Sequence, residues 1–327
     1  MVFLLYLSLV LKSITYCIGS FLVALLTTTL AGVNWLNRDP LELANFSYGL
    51  TYSSLLLFIL ASHEFGHYLA ARRHLVDVTL PLFIPFPSVG VLGLLNPFGT
   101  LGAVIRLKSQ IPSRRVLFDI GASGPIAGFV ASILVLTWGF SSLPSIEYLH
   151  SIHPEYAFME DIPEGGWKFG EPLMFSFMAR LFAPHGAFIP PMNEVYHYPS
   201  LCVGWFGLLV TSINLIPAGQ LDGGHISYAM FGNRYHLIAG MSIVLLFILG
   251  LAGFLPDIGI PISFGYTGWL FWALLLVFSI RVLKLNRPAV EDQTPLDPMR
   301  KILGWICCLI FVLSFSLVPF TFSAAVG

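Results

Sequence analysis

Charge is what this chain has least of. Of its 327 residues only 10% are Asp, Glu, Lys or Arg, against roughly 25% in a typical soluble domain. That shortage excludes an ordinary solvated globular domain. The formal net charge is −1 and no basic stripe runs through the sequence, so no nucleic-acid partner is expected. Cysteine is scarce as well. Cys17, Cys202, Cys307 and Cys308 all fall in apolar segments and form no C-x-x-C pair, which argues against a disulfide framework or a thiolate metal site. They read as small hydrophobes within helices. Internal repeats and low-complexity tracts are absent. The Gly-rich stretch from Gly90 to Gly102 lacks the G-K-[ST] of a phosphate-binding loop.

What remains is apolar sequence: 56% of the chain is hydrophobic, with 28 Phe. A membrane-spanning helix needs about 20 such residues, and seven stretches qualify. They are Ile14–Val33, Ser47–Ala71, Val116–Phe140, Ser200–Ile216, His236–Leu255, Thr267–Leu285 and Ile302–Phe320. The expected fold is therefore all-α and polytopic, with about seven transmembrane helices in a lipid bilayer. Val2–Leu11 either extends the first span or lies in the interface. With no basic region before the first apolar run and Lys12 in its middle, the N-terminus reads as an uncleaved signal-anchor.

Basic residues set the orientation. If the second span ends in the cytoplasm, Lys12, Arg72, Arg73, Arg106, Lys108, Arg114, Arg115, Arg234, Arg281, Lys284, Arg287, Arg300 and Lys301 are cytoplasmic. Only Arg38, Lys168 and Arg180 are left outside. The N-terminus is then inside and the C-terminus outside. Two regions break the helical pattern. Residues 76–115 hold a Pro-rich apolar run (Thr79–Ser88), a turn signal at Asn96-Pro97-Phe98-Gly99, and an alternation at Ile105–Lys108 within Ala103–Lys108 that reads as a strand. They predict a membrane-associated β-hairpin between helices 2 and 3, allowed where protein or a wet cavity covers it. Residues 141–199 form an acidic, Pro-rich outside loop, with an interfacial helix expected over Glu171–Leu181 and no independent domain.

Within the second span stands His63-Glu64-Phe65-Gly66-His67. Ionisable groups at membrane depth cost several kcal/mol unless paired or bound to a metal. Positions i and i+4 share a helix face, so His63 and His67 can offer a nitrogen each to one zinc ion. Glu64, one residue round, is placed to take a proton from water at that metal. With nine His and nine Glu in the chain, H-E-x-x-H arises by chance in about one such sequence per hundred or fewer. A catalytic zinc site wants a third protein ligand. Two buried acids are available, Asp119 at the start of the third span and Asp222 in Ser212-INLIPAGQLDGGH-Ile226. Pro217, Gly219, Gly223 and Gly224 break the helix around Asp222, as a binding site requires. Asp119, near Arg114 and Arg115, reads better as an interfacial ion-pair partner.

These stretches together resemble the site-2 protease family of intramembrane zinc metalloproteases. The likeness rests on H-E-F-G-H-Y at 63–68, on Gly121-Ala-Ser-Gly-Pro125, and on Asn214-Leu-Ile-Pro-Ala-Gly-Gln-Leu-Asp-Gly223. It covers about Ser47 to Ile226. The resemblance implies that Asp222 is the third ligand to a single Zn2+ and that residues 76–115 form a β-like membrane loop. It also implies that substrates are membrane proteins. Gly219 stands where many members carry a second proline, a change expected to loosen the turn. The Gly-Pro signature fits Gly121, Gly124 and Gly128 at the small-residue spacing of close helix approach. With no room for a PDZ or CBS domain, the chain is closest to the PDZ-less branch. Its organisation then reads as an anchor helix with a short outside loop (1–46), a protease core (47–235) and three C-terminal helices (236–327).

The resemblance makes Glu64 the catalytic base of a metalloendopeptidase. Asn214 either hydrogen-bonds the substrate backbone or positions a ligand; a plain polar helix–helix contact is an equal alternative. His74 reads as interfacial, His225 as a residue behind the ligands or a simple helix start, and His236 as a headgroup-level residue. Among the outer histidines, His150, His153, His185 and His197, no pairing at metal-site spacing is evident. A proton or metal-ion transporter, or a catalytically silent scaffold of the same family, are the competing classes. The absence of an Arg/Ser-rich transit segment points to a bacterial or archaeal cell membrane.

Overall fold

The structure, a computed structural model, describes residues 2–260, 264–284 and 290–323. Arg287 and Leu285, used above for orientation and for the end of the sixth span, lie outside the described residues. The order of elements is α1 (Val2–Trp35), α2 (Leu50–Arg73), β1 (Leu82–Pro85), α3 (Val91–Leu95), β2 (Thr100–Val104), β3 (Ile111–Ser113) and α4 (Arg114–Ser141). Then come α5 (Ile146–Ile152), β4 (Gly166–Phe169), α6 (Leu173–Phe182), α7 (Pro199–Asn214), α8 (Asp222–Phe231), α9 (Tyr235–Ala252), α10 (Gly268–Arg281), β5 (Val290–Asp292), α11 (Pro298–Ser314) and β6 (Phe320–Ser323).

Four helical runs among the described residues are long and apolar enough to cross a membrane: Ser13–Trp35, Leu43–Arg73, Arg114–Ser141 and Asp222–Ala252. α6, α7 and α10 are shorter apolar helices. α2, α4 and α7 form the centre. Leu56, Ile59 and Leu60 of α2 pack with Ala131, Val135 and Leu136 of α4 and with Leu201, Trp205 and Leu208 of α7, all buried. The lipid-compatible exterior is visible in the same helices, where Phe58, Val130, Leu134 and Trp138 are exposed.

Local sequence explains the ends. Ser113 caps α4, its hydroxyl accepting from the Val116 amide at 3.3 Å. Asp297 caps α11 by accepting from the Arg300 amide at 3.1 Å, with Pro298 at the first helical position. Arg72 and Arg73 close α2 where the helix dipole is negative.

Between α2 and α4 the chain makes an antiparallel pair, β1 with β2, in the register Leu82↔Val104, Phe83↔Ala103 and Pro85↔Thr100. β2 thus ends at Val104, immediately before the Ile105–Lys108 alternation, and shares Ala103 and Val104 with the expected strand segment. Beyond Val104 the pairing continues only as an isolated bridge, Val78↔Leu107, with Thr79 N donating to Arg106 O and Lys108 N to Asp77 O. The alternation marked a real strand-like partner, but the side-chain period did not locate the ladder's end.

The segment after α4 is better ordered than its composition suggests. β4 pairs antiparallel with β6 from the far C-terminus, Gly166↔Ser323 to Phe169↔Phe320, and Phe169, Phe175, Met178, Val195 and Tyr198 join the core beside Trp205 and Phe206. Sequence pattern missed β4 because its partner lies about 150 residues away and only one of its four residues is buried.

Asp119 is an ion-pair partner, as expected, but its cation is Arg300 and not its sequence neighbours Arg114 and Arg115. Arg300 of α11 grips it through two bonds, Nε to Oδ1 at 2.8 Å and Nη2 to Oδ2 at 2.7 Å, and His74 Nε2 stands 2.8 Å from Oδ2. Arg114 instead donates to the carbonyls of Tyr228, Ala229 and Gln293. Asp119 thus ties α11 and the end of α2 to α4. Asp119→Ala should lower unfolding stability in detergent by about 1–3 kcal/mol, the scale of charge-assisted bonds. Thermal melts of the two proteins test this, and coincident midpoints would contradict it.

Candidate metal centre

α2 and α4 meet backbone to backbone. A Cβ on Gly66 would stand 2.6 Å from the Ser123 carbonyl oxygen, so α2 tolerates no side chain there. On the facing surface of α4 the glycines make room for rings. A Cβ on Gly124 would overlap the His67 imidazole, one on Gly128 would come within 3.1 Å of His63 Nδ1, and one on Gly121 would press on His225 at 3.0 Å. The small-residue spacing read from sequence therefore seats the two α2 histidines against α4.

Asp222 arrives from a different direction. After Asn214 the chain leaves α7, turns through Leu215–Leu221, and restarts as α8 with Asp222 in its first turn. Gly219 takes a left-handed φ of +61°, which proline cannot adopt. The turn is thus made by a backbone route closed to the second proline of the family pattern. Gly223 packs so tightly beneath the turn that a Cβ would strike the Leu215 carbonyl.

The three side chains converge. His63 Nε2 and His67 Nε2 are 3.1 Å apart, His63 Nε2 is 3.3 Å from Asp222 Oδ2, and His67 Nε2 is 3.3 Å from Asp222 Oδ1. A tetrahedral zinc ion with ligands at 2.0–2.1 Å sets its donor atoms about 3.3 Å apart; each histidine nitrogen has one Asp222 oxygen at that distance, and one donor atom from each residue lies within 4.8 Å of the others. His67 Nδ1 lies 2.6 Å from the Ile120 carbonyl oxygen. That oxygen can only accept, so Nδ1 carries the proton and Nε2 presents a lone pair to its neighbours. His63 Nε2 faces that lone pair at 3.1 Å, and a cation shared with the Asp222 carboxylate would join the two rings. Two nitrogens and one carboxylate oxygen are also a donor set suited to zinc.

Glu64 is buried and lines a cavity of about 740 Å³ beside the cluster. Asn214 lines the same cavity, its amide nitrogen 3.5 Å from His63 Nε2. Residues 103–107 form the opposite wall. Asp119 stays outside the cluster, held by Arg300 and His74.

Two further groups line the cavity. Gln220, inside the Asn214–Gly223 stretch but given no role from sequence, joins its wall. His225 occupies the first turn of α8, lines the cavity, and has a buried Nδ1 without a hydrogen-bond partner, so both of its suggested roles describe one location. The outer histidines need a correction: His153, Glu194 and His197 come together at metal-site distances. The E-x-x-H spacing of Glu194 and His197 was the available signal. His153 is brought in by the fold.

The glycine cradle generates a prediction. Gly124→Ala keeps α4 helical but pushes the His67 ring out of place, so zinc bound at this centre should fall by roughly tenfold or more in affinity, the scale of losing ligand orientation. Gly240→Ala, where nothing lies within 4 Å, serves as the control. Metal analysis of both proteins in detergent checks this; equal zinc retention would refute the cradle.

Known proteins agree with this picture. The profile of peptidase family M50 matches residues 51–251, which includes α2, α4, α7 and α8. The chain is 28% identical over 314 residues to "Probable zinc metalloprotease EGY2, chloroplastic" of Arabidopsis thaliana, covering 94% of this chain and 50% of that protein. It is 27% identical over 259 residues to "Probable zinc metalloprotease EGY1, chloroplastic" of the same plant, covering 79% of this chain and 41% of that protein. To "Probable zinc metallopeptidase EGY3, chloroplastic", also from Arabidopsis thaliana, it is 28% identical over 267 residues, 77% and 41% respectively. The chain thus spans half the length or less of these relatives. With the family profile running through both histidines, Glu64 and Asp222, the chain belongs to peptidase family M50.

Proposed function

We propose that this protein is an intramembrane zinc metalloendopeptidase that hydrolyses peptide bonds in or near transmembrane segments of membrane proteins. The observation that carries the reading is the donor triangle of His63, His67 and Asp222 with Glu64 beside it on a cavity wall. A single Zn2+ held there supplies a Lewis acid that polarises a carbonyl and acidifies water. His67 is locked in the ligating tautomer by Ile120. Glu64 removes a proton from the attacking water and returns it to the leaving amine. Asn214, on the same wall, is placed to hydrogen-bond a substrate backbone or to steady His63.

A helical substrate hides its carbonyls in its own hydrogen bonds and must be drawn out. Residues 103–107 offer the means. The bonds of this segment to its partner strand come from even-numbered residues: Arg106 O accepts from Thr79 N, Arg106 N donates to the Thr79 hydroxyl, and Lys108 N donates to Asp77 O. In an antiparallel ladder the intervening residues turn their backbone groups the other way. Ala103 and Leu107 therefore turn their backbone groups towards the cavity they line, and a substrate segment pairs with this edge as an added strand.

Placed in a bilayer, the same reading keeps the seven spans, the N-terminus in the cytoplasm and the catalytic centre towards the cytoplasmic side, on the strength of the basic-residue asymmetry. It keeps the division into 1–46, 47–235 and 236–327. The relatives carry "chloroplastic" in their names, so a chloroplast membrane stands beside the bacterial or archaeal cell membrane as the setting. A transporter would need ionisable groups strung along several spans, whereas His63, Glu64, His67 and Asp222 all line one cavity.

Glu64→Gln should lower cleavage of a membrane-tethered reporter by about 10²–10⁴-fold and leave zinc content unchanged. Cleavage at the wild-type rate would remove Glu64 as the base. Ala103→Pro deletes one outward N–H without breaking a bond to β1, and should lower reporter cleavage several-fold with zinc retained. Undiminished cleavage would dispose of the strand-pairing route.

A further inference from the structure

At the other end of α7 from the first cluster, a second set of ligand-type side chains meets. His197 Nε2 is 2.9 Å from His153 Nε2 and 3.5 Å from Glu194 Oε2, which is 4.0 Å from His153 Nε2. The three come from separate pieces of the outer segment: His153 ends α5, while Glu194 and His197 flank the short turn that leads into α7. α7 has 16 residues, so about 24 Å of helix separates this cluster from Asn214 and the first centre.

Each ring is fixed by its far nitrogen. His197 Nδ1 lies 2.7 Å from the Trp35 carbonyl oxygen at the end of α1, and His153 Nδ1 lies 3.1 Å from Glu155 Oε1. Both oxygens accept, so both Nδ1 atoms carry protons, and in the neutral rings both Nε2 atoms face each other as lone pairs. The 2.9 Å separation is then no hydrogen bond between neutral rings. Glu194 Oε1 accepts from the Tyr156 hydroxyl and the Asn193 amide, each at 3.2 Å. Its Oε2 is buried, accepts no hydrogen bond, and points at the two nitrogens. A buried carboxylate oxygen without a donor is costly, and two facing lone pairs add to the cost. One cation at the centre of the triangle answers both.

We propose that His153, Glu194 and His197 form a second divalent-metal site, with zinc the best match to two imidazole nitrogens and one carboxylate oxygen. Carbonyl and carboxylate partners behind the histidines are the usual supports of such ligands. His153 and His197 also line a cavity of about 410 Å³, with Trp35, Asn34 and Tyr196 on its walls, where the remaining coordination position opens. The ion fastens α5 and the segment before α7 to the end of α1. It steadies the outer segment from the face opposite the first centre.

The test is metal stoichiometry on the full chain in detergent after saturation with zinc and removal of excess. Wild type should hold two zinc ions per chain and Glu194→Gln one. His67→Ala, which disables only the first centre, should also hold one, and combining the two changes should leave none. One zinc in wild type, unchanged by Glu194→Gln, would overturn the site and show that the two rings share a proton instead. Should Glu194→Gln fail to fold, Co2+ titration of His67→Ala decides. A stoichiometric visible absorption of a low-symmetry Co2+ centre, lost on adding His153→Gln, supports the site, and no such band overturns it. If His67→Ala retains two ions, the first centre is misassigned while the second stands.

Discussion

Everything in the centre of this protein follows from the cost of keeping polar atoms away from water. An apolar bundle can hold two imidazoles and two carboxylates only if they answer one another's charges and lone pairs. Here they do so by converging: His63, His67 and Asp222 set their donor atoms 3.1–3.3 Å apart, with Glu64 on the adjacent cavity wall. That separation is the edge of a tetrahedron around zinc. The group that makes the site reactive is also the group that makes its burial tolerable.

The rest of the core serves that convergence. α4 contributes no ligand, yet its glycines decide where the rings lie, and its Ile120 carbonyl decides which nitrogen of His67 is free. α7 and α8 are split by a turn so that a carboxylate can be delivered from a helix start. The turn depends on Gly219 at a positive φ and on Gly223 pressed against a carbonyl. These are constraints on backbone approach, and they explain why so much glycine sits in an otherwise apolar helical chain.

The sequence made the site's composition readable because charge is so rare in it. Each of His63, Glu64, His67 and Asp222 stood out against an apolar background, and the helix-breaking residues around Asp222 pointed to a bend. The contacts made by distant chain segments were not readable. β4 finds β6 across most of the second half of the chain, and Asp119 finds Arg300 rather than its neighbours in sequence. His153 reaches His197 through a segment whose composition suggested a plain loop. In each case the local pattern was weak or misleading, and long-range packing chose the partner. The bounds of the strand near Ala103–Lys108 were not legible for a related reason: alternation reports which face a side chain occupies, whereas a ladder ends where its partner turns away.

The most direct measurement is zinc K-edge X-ray absorption on the full chain carrying Glu194→Gln, so that only the first centre can contribute. The account predicts one zinc per chain with nitrogen and oxygen neighbours at about 2.0–2.1 Å and the scattering pattern of two imidazoles. Adding Asp222→Asn should weaken or abolish that zinc. A spectrum with no imidazole contribution, or a zinc site indifferent to Asp222, would contradict it.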